Sequence, residues 1–318
     1  MKEIDLISRY LQKLVKNNSG AKNLNDDVFF DKKRKLVISV DTYNEGIHFF
    51  DLKKPQLVVK KILRSSISDL ICKGVKPEYY FLSFSSKNNL NKFFLKKIIN
   101  TLNYEQKKYN IKISGGDTCK AKTTSFTVVS IGFSNRIVER NNAKIYDDLY
   151  VTGELGDSYV GLKILEGKYK TNNKLKFYFI NKYYSPEIPH KYYKIIKKYA
   201  NTSIDISDGL FDDLKKLINK QNCGYKIFLE KIPISNYLRK FLRNTKKNKL
   251  DQIYHGDDYQ ILFTAKKQFR NQIKKDSKLM NQKVTIIGEI SSKKADNLVF
   301  YGNKFRNTNK YRGYSHSF

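Results

Sequence analysis

Acids are the minority charge of this chain, 30 against 62 lysines and arginines, yet they gather where chemistry could be done. Asp26-Asp27, Asp41-Thr42, Ser68-Asp69, Gly115-Gly116-Asp117-Thr118, Asp205-Ile206-Ser207-Asp208-Gly209 and Gly256-Asp257-Asp258 set carboxylates together or beside glycine, serine or threonine. Many of these stand at the ends of predicted strands. Carboxylates next to glycine turns at the carboxyl ends of strands suit hard cations such as magnesium, which take oxygen ligands. The same turns leave backbone N–H groups free for phosphate oxygens. Taken singly, each motif has a plainer reading. Asp-Gly marks a turn, and Ser or Asp ahead of a helix is an N-cap.

Other catalytic patterns are missing. There is no GxxxxGK[ST] loop and no glycine loop paired with an HRD segment, so any ATP would be held through carboxylate-bound metals rather than a P-loop lysine. A Ser-His-Asp hydrolase lacks its GxSxG elbow, and only four histidines occur. His48 lies in the polar run YNEGIHF and reads equally as a ligand contact or a turn histidine, while His190 and His316 read as surface residues.

The elements that must carry these residues alternate. A helix is expected over 3–17, a strand over 36–43, a helix over 55–73 opening on Pro55, a strand over 78–86 and a helix over 90–109. IKISGGDT (111–118) reads as a short strand entering a glycine turn, and 125–133 as another strand. A domain boundary is placed near Ile137, giving units 1–137 and 138–318. The second unit repeats the alternation: a strand at 148–153, a helix from the Gly156-Asp157-Ser158 turn to about 166, helices near 173–184 and 187–199, a strand at 202–207 and a helix at 209–222. Later strands are expected at 224–229, 259–264, 283–288 and 297–301. Strands alternating with helices argue for an α/β class in layers.

Composition narrows the class further. With 318 residues, 40% of them hydrophobic, the chain can bury a sizeable core, most readily as two domains. No apolar run reaches the roughly 18 residues that span a bilayer. The start, MKEIDLISRYLQKLV, carries Glu3 and Asp5 and reads as an amphipathic helix rather than a signal peptide. A cytoplasmic protein without membrane partners is expected. Cys72, Cys119 and Cys223 form no CxxC pair and read as reduced thiols. The net charge of +32 comes mostly from lysines spread along the chain, with no RGG, zinc-finger or RNP-like motif. That distribution fits compositional drift better than a specific nucleic-acid surface, although a positive field favours anionic ligands.

The order and spacing of the motifs resemble the thiamine-monophosphate kinase family over nearly the whole chain. The residues that carry the resemblance are Asn25-Asp26-Asp27, then Ser39-Val40-Asp41 through Gly46, His48 and Phe49. Ser68-Asp69-Leu70 with Gly74 and Pro77 follows, then the GGDT of 115–118. Arg140 and Ala143 lead to Val151-Thr152-Gly153 and Gly156-Asp157-Ser158; Asp205 to Leu210, Gly256 to Tyr259 and Tyr311 to Tyr314 complete the series.

The resemblance implies metal ligation by Asp27, Ser39, the Val40 carbonyl, Asp41, Asp69, Asp117, Asp205 and Asp208. It implies ATP contacts at Gly116, Asp117, Arg140 and Ser207, and thiamine-phosphate contacts at His48, Asp257 and Tyr311. It further implies several magnesium ions, ATP as co-substrate, a two-domain aminoimidazole-ribonucleotide synthetase-like fold, and a homodimer through the N-terminal sheet. Asn25, Ser66, Asn142 and Asp257 depart from the family pattern. The rivals are another ATP-using synthetase of the same superfamily and a basic nucleic-acid-binding protein without catalysis.

Overall fold

The computed structural model describes residues 1–87, 91–293 and 296–316. Its first elements are α1 (Glu3–Arg9), β1 (Phe29–Asp31), β2 (Leu36–Asn44), α2 (Pro55–Cys72), β3 (Pro77–Ser86), α3 (Lys92–Tyr109), β4 (Lys112–Lys120) and β5 (Ser125–Phe133). They build a five-stranded sheet in the order β1-β2-β5-β3-β4, antiparallel except where β4 runs parallel to β3. The chain continues through β6 (Asp148–Thr152), α4 (Asp157–Leu165), α5 (Asn173–Tyr184), α6 (Tyr193–Tyr199), β7 (Thr202–Asp205), α7 (Leu210–Leu217) and β8 (Gly224–Phe228). It ends with α8 (Asn236–Thr245), α9 (Lys249–Ile253), β9 (Ile261–Ala265), α10 (Arg270–Leu279), β10 (Val284–Ser291), β11 (Asn297–Tyr301) and β12 (Lys304–Asn307). These later strands form a seven-stranded sheet, β12-β11-β8-β10-β6-β9-β7.

Helix α2 is the hinge of the architecture. Val58, Ile62, Leu63, Ile67, Leu70 and Ile71 are all buried, so apolar groups surround it on almost every side, the mark of a helix enclosed by protein. One flank packs on the inner face of the first sheet beside Tyr43, Phe126 and Val128, while Tyr183, Tyr192 and Ile196 from the second half cover the other. Each such apolar side chain contributes about 1.5–3 kcal/mol of burial, so α2 is held firmly against both sheets. Its polar residues are therefore fixed between them.

The outer face of the first sheet is apolar and open. Val40, Tyr79, Phe81 and Phe133 are all exposed there. Cross-strand register places Val40 opposite Val129, and Val129 opposite Phe81.

Three local expectations change. The helix expected over 3–17 ends at Arg9 and yields to a 3₁₀ turn, Leu11–Val15. The helix expected from 187 begins at Tyr193 after a 3₁₀ turn, because Pro186 and Pro189 supply no N–H and disfavour helix before them. The GGDT segment is not a turn but part of β4, with φ of +146° at Gly115 and +152° at Gly116. A Cβ at Gly116 would lie 1.8 Å from the Leu82 carbonyl oxygen, so only glycine lets β4 approach β3 this closely.

Candidate active site

The period-2 alternation of β2 puts Ser39 and Asp41 on the same face as buried Val37 and Tyr43, toward α2. Helix α2 answers with Lys61, Ser65, Ser68 and Cys72, spaced three or four residues apart on one face, and with Asp69. Strand β7 ends at Asp205. Ser39 donates a short hydrogen bond to Asp69. The Ser68 hydroxyl donates to Asp205 at 2.5 Å, joining α2 to the second sheet. Asp27, Asp69 and Asp205 each offer an oxygen, and these oxygens lie within 4.8 Å of one another.

These carboxylates are desolvated and crowd one another, with only partial relief from Lys73 and Arg140. Burial pushes Asp41 up to about 7, and its Oδ2 is buried without a hydrogen-bond partner. Asp205 is also pushed up to about 7, by burial first, with the Ser68 hydrogen bond opposing and the Asp213 and Asp41 charges adding. Asp69 is raised well above the carboxylate range by burial and by the charges of Asp41 and Asp205. Crowded, desolvated carboxylates with an orphaned oxygen are the donor set that a hard divalent cation takes.

Three cationic side chains border the cluster. Arg140 pairs with Asp27, and its backbone N–H donates to Asp26 at 3.0 Å. The Arg140 Nε is buried without a partner. Lys73 bridges Asp26 and Asp27. Lys216 pairs with Asp208 and lies 3.2 Å from Asp213. Asp213 also accepts the backbone N–H groups of Asp208 and Gly209 at 3.0 and 2.9 Å, which holds the turn after β7.

The expected substrate residues lie outside α2, in the loops after β2 and before β9 and in the C-terminal segment. The Asp257 N–H donates to the Ser207 carbonyl at 2.9 Å, and Gly256 packs so closely that a Cβ there would sit 1.8 Å from that carbonyl oxygen. The two acidic loops are thus pinned together. Asp257 carries φ of +68° and pairs with the buried Lys61 at 3.0 Å. His48 accepts from the Asn44 N–H at 3.0 Å, and burial lowers its ring pKa, so the imidazole is neutral at pH 7. Tyr311 packs between Phe211 and Tyr254, at 5.5 and 5.4 Å between ring centroids. The C-terminal segment is tied down: the Gly313 N–H donates to Asp212 at 2.5 Å and the Tyr314 N–H to the Asp208 carbonyl at 3.0 Å. His316, expected at the surface, lies 5.6 Å from the His48 ring.

Asp27, Ser39, Asp41, Asp69, Asp205, Asp208 and Arg140 therefore surround one region, with Ser207 on the turn beside it. Gly116 and Asp117 do not join them. They lie on exposed β4 at the sheet edge, with β3 and β5 between it and β2. Three strand spacings put the backbones of Asp117 and Asp41 about 14 Å apart. The Val40 side chain points outward, leaving only its backbone near the cluster. Sequence reasoning missed Lys61, Lys73, Lys216 and Asp213. The polar stripe Lys61-Ser65-Ser68-Cys72 along an apolar helix was a signal for the first; the other lysines are indistinguishable from surface lysines by spacing.

Comparison with known proteins bears on the family and the fold. The family model for AIR synthase related protein, N-terminal domain, matches residues 25–134. A thiamine-monophosphate kinase of Buchnera aphidicola subsp. Acyrthosiphon pisum (strain APS) is 33% identical, over 91% of this chain and 91% of that one. That of Aquifex aeolicus (strain VF5) is 30% identical, over 80% and 84%. A solved structure described as AaThiL complexed with AMPPCP and TMP is similar with a TM-score of 0.85 and 28% identity, over 100% of this chain and 99% of that one. With identity at this level across nine-tenths of both sequences, and the same fold, the chain belongs to the thiamine-monophosphate kinase family.

Proposed function

We propose that this chain transfers the γ-phosphoryl group of ATP to the phosphate of thiamine monophosphate, giving thiamine diphosphate. The observation that carries the reading is the convergence of oxygens from Asp27, Asp69 and Asp205 within 4.8 Å, beside Asp41 with its buried, unpartnered oxygen, with burial raising the proton affinity of Asp41, Asp69 and Asp205. Asp41, Asp69 and Asp205 would hold magnesium ions, with Ser39, the Val40 carbonyl and Asp208 at the margins. Asp27 belongs to the same group but already has two cationic partners. Bound magnesium supplies charge neutralisation for two polyanions and alignment for in-line transfer.

The chain's own residues do the rest. The attacking phosphate oxygen has a second pKa of about 6 and is ionised at neutral pH, so no strong base is needed. Arg140, whose Nε has no hydrogen-bond partner, would offer its guanidinium to phosphate oxygens. Neutral His48, Asp257 with Lys61 behind it, and the docked Tyr311 segment line the thiamine end. In this reading residues 1–137 carry the dimer surface and most of the metal ligands, and residues 138–318 add Asp205, Asp208 and further substrate and nucleotide contacts. The reaction in this reading belongs to the cytoplasm.

The same reading makes the protein a homodimer through the first sheet. The open apolar face of Val40, Tyr79, Phe81 and Phe133 supports it, since a patch of that kind on a monomer ordinarily has a partner. Gly116 and Asp117, too far from Asp41 within one chain, then complete the site of the second copy.

The first test is incubation with ATP, thiamine monophosphate and magnesium; thiamine diphosphate is the expected product, and its absence overturns the reading. The shared site is tested by mixing Asp41→Asn and Asp117→Asn proteins after subunit exchange. Mixed dimers would hold one intact site and regain activity, whereas sites confined to one chain would stay inactive.

A further inference from the structure

The acidic cluster contains a cation of its own. Lys73 caps the C-terminal end of α2. Lysine is favourable there because of the helix dipole and ordinarily keeps its ammonium in water. Here the side chain has 0% exposure. Its ammonium lies 2.7 Å from Asp26 and 2.6 Å from Asp27, and donates to the Ser203 carbonyl at 2.6 Å. An ammonium has three N–H donors, and all three are used. Three converging oxygens, two of them carboxylate, are also what a hard cation would take. The remaining oxygens are engaged as well: Asp27 by the Arg140 guanidinium, and Asp26 by the Arg140 backbone N–H.

Lys216 provides the contrast. It pairs with Asp208, but its side chain is 32% exposed, so it can swing into solvent and release the carboxylate. Lys73 has no such route. The Ser203 hydroxyl donates to the Cys72 carbonyl and the Val138 N–H to the Lys73 carbonyl, closing the junction between α2 and β7 around the side chain.

We propose that Lys73 is a resident cation of the phosphoryl-transfer site. It stands where a divalent ion would otherwise bridge Asp26 and Asp27, so divalent ions load only on the Asp41–Asp69–Asp205 side. The inference rests on the metal reading above. Its consequence is a positive charge beside the transferring phosphates that does not depend on magnesium concentration.

The test counts bound manganese ions per chain by electron paramagnetic resonance, on the full-length protein with a non-hydrolysable ATP analogue. Asp27→Asn should leave the count unchanged, whereas Asp69→Asn should lower it. Lys73→Met, which keeps the length and removes the charge, should raise it by roughly one ion and enlarge the manganese-induced rise in Tm. An unchanged count in folded Lys73→Met, or a loss in Asp27→Asn equal to that in Asp69→Asn, overturns the proposal. Should Lys73→Met not fold, the comparison of Asp27→Asn with Asp69→Asn decides alone. If the wild type binds no manganese, or Asp69→Asn loses none, the metal reading itself falls and takes this inference with it.

Discussion

Lys61 of α2 and Asp257 of the loop before β9 form an ion pair of 3.0 Å. The ammonium also sits 3.5 Å from the centroid of the Tyr183 ring, and the Tyr183 hydroxyl donates to the His48 carbonyl at 3.0 Å. A buried cation thus fixes one substrate-contact candidate and, through a tyrosine, braces another. Lys61→Met should free Asp257 while leaving the acid cluster intact. The expected result is a several-fold rise in KM for thiamine phosphate, worth about 1 kcal/mol, with KM for ATP little changed. Steady-state kinetics with each substrate varied in turn checks it; equal effects on both would remove the assignment.

Arg64 of α2 and Glu105 form another ion pair, with two hydrogen bonds of 2.8 Å, and Arg64 also donates to the Pro186 carbonyl at 3.1 Å. Glu105 is wholly buried. Glu105→Ala would strand the guanidinium, so a loss of about 3–5 kcal/mol is expected, read from urea unfolding. A loss below 1 kcal/mol, on the order of a surface pair, would show that water reaches Arg64.

Asp41→Asn, Asp69→Asn and Asp205→Asn should each cut turnover by orders of magnitude while the metal-free protein keeps or gains stability. Each substitution removes a carboxylate whose charged form burial disfavours. Chelation of magnesium should abolish wild-type activity reversibly. Near-wild-type turnover in all three variants would end the metal assignment.

Asp157, in the first turn of α4, is pushed up to about 6 by burial, against hydrogen bonds from the Ser235 and Tyr178 hydroxyls. A carboxyl with a raised folded-state pKa contributes its stability fully below the unfolded value of about 3.9 and loses it as pH rises through the folded one. Relative to Asp157→Asn, the wild type should therefore lose on the order of 2 kcal/mol between pH 4 and 7. Parallel thermal-stability curves for the two proteins would contradict this.

The tail gives a further kinetic contrast. A Cβ on Gly313 would lie 2.0 Å from the Asp208 carbonyl oxygen, so Gly313→Ala should lift the segment off the turn after β7. Both it and Tyr311→Ala should raise KM for thiamine phosphate several-fold and spare KM for ATP. No change in either variant would show that the tail does not form the thiamine end.

The sequence by itself determined the local chemistry and most elements. Apolar alternation marked β2 and β5, Pro55 marked the start of α2, and the acids of 205–208 and 257–258 stood out because carboxylates are scarce in so basic a chain. These signals lie within a few residues of one another, where periodicity and turn chemistry act. Only the tertiary structure decided what was non-local. Strand order set Asp117 at an edge three strand spacings away from Asp41. The closing of α2 on β7 buried Lys73, although its spacing matches any solvated helix-end lysine. The tail brought His316 to His48, 268 positions apart in sequence. Such pairings depend on which apolar faces find each other across the whole chain, and no local pattern encodes that choice.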